Sequence, residues 1–64
     1  MIMGEILRRL RYEHGFTQEE LSMELNISQQ SISKWEQDIS QPSFGTIVKL
    51  STLYKISIDE FKIR

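Results

Sequence analysis

Three residues constrain this chain more than any others. Asn26-Ile27-Ser28 stands between two short stretches that both carry helical signals. On the N-terminal side, Thr17 and Glu20 have the spacing of a capping box, in which a hydroxyl and a carboxylate satisfy free backbone N–H groups reciprocally. Phe16 precedes that cap and can pack onto Leu21 as a hydrophobic staple. Leu21 and Leu25, four apart, form an inner face. Asn26 tolerates positive φ and predicts the helix end. On the C-terminal side, Ser28 can cap a helix running to about Gln37. There Ile32 and Trp35, three apart, face inward, while Gln30, Ser33, Lys34 and Gln37 project the other way and Gln29 sits at the outer edge of the first turn. Two short helices joined this tightly read as a helix-turn-helix unit.

The rest of the chain continues the helical pattern. A first helix over roughly residues 2–14 carries Ile6, Leu7 and Leu10 on one side and Arg8, Arg9 and Arg11 on or near the others, and Gly15 can end it in the left-handed conformation. Asp38 to Pro42 reads as a loop. Ser43 caps a fourth helix through about Tyr54, with Phe44, Ile47, Leu50 and Leu53 expected inward. Lys55 occupies a turn, and Ser57 caps a last short helix from Ile58 to about Ile63. The fold class is therefore all-α, a compact five-helix bundle. Its expected core is Ile6, Leu10, Phe16, Leu21, Leu25, Ile27, Ile32, Trp35, Ile47, Leu50, Leu53, Ile56, Ile58 and Phe61.

Size and charge limit what such a bundle can be. With 64 residues, the chain is expected to form a single domain over 1–64, because so short a chain cannot bury two cores. It has no cysteine, which excludes a disulfide scaffold and a zinc finger. No apolar run approaches the ~18 residues needed to span a membrane, and the start lacks the pattern of a signal peptide, so a cytoplasmic location and no membrane partner are expected.

The net charge is −1, unevenly spread. Residues 1–16 hold three arginines against two glutamates (+1), residues 17–42 one lysine against five acids (−4), and residues 43–64 four cations against two acids (+2). Any positive field comes from the two ends.

Taken together, TQEELSMELNISQQSISKWE, Arg11 before a glycine-ended first helix, PS opening the fourth helix and SIDEF in the fifth resemble the Cro/C1-type, or XRE, family of phage-repressor-like DNA-binding domains. The likeness runs from Ile6 to Phe61. It implies a lambda-repressor-like fold that binds double-stranded DNA, with the third helix in the major groove, as a small transcriptional regulator, in the first instance a repressor.

The outer face of that helix suits the role. Gln29 and Gln30 carry amides that donate and accept at once and match the N6/N7 edge of adenine, and Lys34 can reach guanine O6/N7 or a phosphate. Ser33 is a secondary base contact. Gln18, Ser31, Ser43 and Arg8 or Arg9 would contact the DNA backbone. The resemblance also implies that Gln18 braces Gln29, and that Arg11 and Glu36 form a structural ion pair pinning helix three to helix one. Binding is expected as a homodimer on an inverted-repeat operator, with Phe61-Lys62-Ile63-Arg64 a candidate dimer contact or simply packed on helix one. No cofactor, metal or small-molecule ligand is expected.

The chain departs from the family in one place that matters. Asp38 stands where glycine is common, followed by Ile39-Ser40-Gln41 instead of basic residues. Phosphate neutralisation supplies most non-specific affinity, so weak non-specific binding and a shallow salt slope are expected. The acidic middle segment also leaves open a second reading, a protein-interaction module on the same fold. Enzymatic chemistry has no support: His14 sits alone at a helix end, Glu19, Glu20 and Glu24 lie on a solvent face, and there is no nucleophile–base pair or phosphate loop.

Overall fold

A computed structural model of the chain describes residues 3–62. The described residues form four α-helices and a closing 3₁₀ helix: α1 (Met3–Glu13), α2 (Gln18–Leu25), α3 (Gln29–Glu36), α4 (Phe44–Tyr54) and the 3₁₀ helix Ile58–Phe61. The fifth helix of the sequence reading is thus a single 3₁₀ turn. The expected helix start at residue 2 and end at Ile63 lie outside the described residues, as do Ile63 and Arg64 of the candidate dimer contact. No helix among the described residues is long and apolar enough to cross a membrane.

Local chemistry sets the helix ends. The Thr17 hydroxyl accepts from the Glu20 N–H at 3.0 Å, and the Glu20 carboxylate accepts from the Thr17 N–H at 2.9 Å. Ser28, Ser43 and Ser57 cap the following helices in the same manner, each accepting a backbone N–H two or three residues on. Gly15, Asn26 and Lys55 take the left-handed conformation at φ 77°, 56° and 57° and terminate α1, α2 and α4. Asn26 does so at little cost. Lys55 carries a Cβ into a region that favours glycine, which strains the backbone by about 1 kcal/mol.

The core gathers from every element: Ile6, Leu7 and Leu10 of α1, Leu21 and Leu25 of α2, Ile32 and Trp35 of α3, Ile47, Leu50 and Tyr54 of α4, and Phe61. Phe16, Ile27, Leu53 and Ile56 pack against this cluster while only partly buried. Helix α3 packs on both α1 and α2, α4 packs on α2, and the 3₁₀ helix closes against α1 and α4.

Two residues expected to face inward, Phe44 and the expected core residue Ile58, lie outside. Phe44 is 71% exposed, although Ile47 three residues on in the same turn of α4 is buried. Ile58 is 41% exposed at the start of the 3₁₀ helix, whose tight turn directs only Phe61 inward. Leu7 and Tyr54 are buried in their place. Phe61 is buried too, so of the two roles offered for it, it takes the packing against the bundle.

Candidate nucleic-acid interface

The short α2–α3 turn is secured on both sides. Asn26 closes α2 with its N–H on the Met23 and Ser22 carbonyls, and the Ser28 hydroxyl accepts from the Ser31 N–H at 3.1 Å to open α3. Helix α3 turns Ile32, Trp35 and Glu36 inward. Gln29, Gln30 and Lys34 are exposed, and none of the three side chains bonds to another described residue. Ser33, half-buried, accepts from the Gln37 amide at 2.8 Å. The outer face of α3 therefore holds three uncommitted hydrogen-bonding side chains and one that is occupied.

Glu36 is the hub beneath that face. Its Oε2 accepts from Arg11 Nε at 2.6 Å, and its Oε1 accepts from Arg11 Nη2 at 3.0 Å and from the Gln18 amide at 3.1 Å. Arg8 adds a longer contact, Nε to Oε1 at 3.6 Å, and donates to the Glu36 carbonyl at 3.4 Å. Arg11 also donates to the Phe16 carbonyl at 2.9 Å, so one guanidinium ties α1, the α1–α2 turn and α3 together. The Arg11 and Glu36 side chains are only 6% and 2% exposed.

Burial by itself would push the Glu36 carboxyl up. The hydrogen bonds from Arg11 and Gln18 and the charges of Arg11 and Arg8 outweigh it and hold the group below its ordinary 4.5. The hydrogen bond to Glu36 is the largest effect on Arg11 and raises its pKa. Both groups therefore stay charged at neutral pH.

Gln18 differs from its expected arrangement. Its amide is committed to Glu36, the last residue of α3, and not to Gln29, the first. Gln18 and Gln29 do border one cleft of about 640 Å³, together with Arg11, Tyr12 and Glu19. The Tyr12 ring lies under the Arg11 guanidinium, 4.6 Å from it.

Among the other expected backbone contacts, Arg9 pairs with Glu13 at 3.1 Å along α1. Ser31 and Ser43 share hydrogen bonds with Ser28 at 2.9 Å and Thr46 at 3.1 Å. Each of those hydroxyl pairs uses one of its two hydrogens internally and keeps one to donate outward.

Asp38 has a role that sequence reading missed. Its φ is 60°, and its Oδ1 accepts from the Gly4 N–H at 3.0 Å, capping α1 from the far end of α3. The approach is close: a Cβ on Gly4 would stand 2.6 Å from the Glu36 carbonyl oxygen. The residue that replaces the family's glycine thus takes the glycine conformation and supplies a helix cap in addition. A glycine in the first turn of α1 was the one signal that something passes close by there.

Comparison with known proteins agrees with this geometry. A family model described as helix-turn-helix matches residues 7–61. The chain is 39% identical over 59 residues to the HTH-type transcriptional regulator ImmR of Bacillus subtilis (strain 168), covering 92% of this chain and 46% of that protein. It is 35% identical over 60 residues to the HTH-type transcriptional activator BcrR of Enterococcus faecalis, covering 94% and 29%. It therefore spans less than half the length of these two relatives. Its fold superimposes on the crystal structure of the restriction-modification controller protein C.AhdI from Aeromonas hydrophila with a TM-score of 0.83, at 28% identity, covering 94% of this chain and 91% of that one. With α2 and α3 joined through the Asn26 turn and locked to α1 by Glu36, the chain belongs to the helix-turn-helix family of the Cro/C1, or XRE, type.

Proposed function

We propose that this chain is a sequence-specific DNA-binding unit of a transcription regulator, acting in the cytoplasm as a homodimer on an inverted-repeat operator, with α3 in the major groove. One observation carries the reading. Helix α3 is held rigidly on its inner face by Ile32, Trp35 and Glu36, while Gln29, Gln30 and Lys34 on its outer face are exposed and bond to no other described side chain. A groove-reading helix needs that division, since base edges are read by side chains that are free to bond and fixed in position. Names given to relatives, a regulator and an activator, agree with regulation by DNA binding and leave its sign open.

Gln29 and Gln30 read adenine edges and Lys34 reads guanine or a phosphate. Ser31 and Ser43 serve the DNA backbone through the one spare hydrogen of each hydroxyl pair, Ser28–Ser31 and Ser43–Thr46, and Arg8, with its side chain half exposed, supplies charge. Gln18 acts mainly through Glu36, by fixing the angle between α2 and α3. Few cations flank α3, so the salt dependence of binding is shallow.

The test is selection from a random duplex pool at low salt, repeated with Gln30→Ala. An inverted repeat with half-sites about one helical turn apart is expected, with preference at one base position relaxed by about 1–3 kcal/mol in the variant. A folded protein that enriches no sequence sinks this reading and favours the protein-interaction module, for which the −4 charge of residues 17–42 speaks.

A further inference from the structure

One buried polar group takes no part in the interface. Tyr54, on the last turn of α4, is 5% exposed, and its hydroxyl has no hydrogen-bond partner among the described residues. Its ring is held from two sides, stacked on His14 at 4.2 Å between ring centres and tilted against Phe16 at 6.0 Å. The hydroxyl is therefore fixed in place and cannot swing out to solvent.

Tyr54 also borders a small, largely closed cavity of about 10 Å³ between α4 and the inner side of α3. Leu7, Ile32 and Leu50 make most of its wall apolar, but Glu36 lines it too. That volume is about one water molecule by the same measure, and buried waters settle where at least two polar groups meet them.

The hydrogen-bond capacity of Glu36 fits such a guest. A carboxylate offers about four acceptor positions, two on each oxygen. Oε1 receives both Arg11 Nη2 and the Gln18 amide, whereas Oε2 receives only Arg11 Nε. One position on Oε2 remains. Burial pushes the Tyr54 hydroxyl up to about 12, with Arg11 and Glu36 also acting on it, so it stays protonated and offers a donor.

We propose that this cavity is a single-water site, in which the water accepts from the Tyr54 hydroxyl and donates to Glu36 Oε2, tying α4 to the ion cluster that seats α3. The site takes water and nothing larger. It does not depend on what α3 reads.

Two measurements on the full chain test it. A high-resolution crystal structure is expected to show a water within hydrogen-bond distance of both Tyr54 Oη and Glu36. A dry cavity, or a hydroxyl bonded directly to a protein acceptor, overturns the proposal, and this reading stands whether or not any variant folds. In the second, Tyr54→Phe removes the hydroxyl and leaves the ring. A bridged hydroxyl predicts a fall in Tm of about 4–8 °C, the shift for one ordinary hydrogen bond in a domain this small. An unpaired hydroxyl predicts the opposite sign, because its removal relieves a desolvation cost; an unchanged or raised Tm therefore also overturns the proposal.

Discussion

Helices α3 and α4 reach the same core by different chemistry. Helix α4 is seated chiefly by Ile47, Leu50 and Tyr54, which point inward, and among the described residues no ion pair and no direct side-chain hydrogen bond joins it to another helix. Helix α3 brings Ile32 and Trp35 but adds Glu36, with Arg11 and Gln18 bonded to its carboxylate and Arg8 bonded to its carbonyl, while Asp38 just beyond caps α1. Hydrophobic burial is strong and non-directional. It holds a helix down but leaves its rotation to the fit of side chains. A bidentate guanidinium–carboxylate pair has a fixed geometry. The helix proposed to read DNA is thus the one whose orientation is fixed by directional bonds.

The largest effect should come from breaking the charged seat. Glu36→Ala leaves Arg11 buried without its partner and should cost about 3–5 kcal/mol, enough to unfold much of so small a domain, as denaturant melts would show. Leu50→Ala on the apolar side should cost about 2–5 kcal/mol through lost burial and the cavity left behind. The comparison sharpens if Leu50→Ala, while folded, keeps its DNA preference: it loosens the domain without turning α3. A Leu50→Ala protein that stays folded yet loses site preference would break the distinction.

Titration probes the same seat more gently. Glu36 has a lower pKa in the folded chain than its ordinary 4.5, so its contribution is complete above that value and is lost as pH falls through the lower folded one. Wild-type stability should therefore decline below about pH 4.5, and Glu36→Gln should show a flatter profile there. A profile of equal slope in both proteins would remove Glu36 from the acid response. The smallest change lies at the far end of α4. Lys55→Gly relieves the left-handed strain and should stabilise by up to about 1 kcal/mol, with DNA binding unaltered. A loss of stability there would mean the Lys55 side chain contributes more than its backbone costs.

The capping residues were legible because a cap is a bond between neighbours. Thr17 with Glu20, and Ser28, Ser43 and Ser57 with the N–H groups that follow them, span at most three residues, and no distant part of the chain can rearrange them. The outward face of α3 was legible for a similar reason, since 100° per residue decides which side chains oppose Ile32 and Trp35. Phe44 shows the limit of that argument. Periodicity gives a direction, but burial needs something standing in that direction: Ile47 meets the core and Phe44, three residues earlier in the same helix, does not.

The sequence alone therefore determined the caps that open α2, α3 and α4, the tight α2–α3 turn, and most of the apolar residues of the core. All of these follow from bonds and repeats within a few residues of one another. The tertiary structure alone decided that Gln18 bonds to Glu36 across 18 positions and Asp38 to Gly4 across 34, and that Tyr54 is buried beside the ion cluster. Those contacts depend on how the helices dock, and docking is settled by the shape of the whole core, which no local stretch of the chain contains.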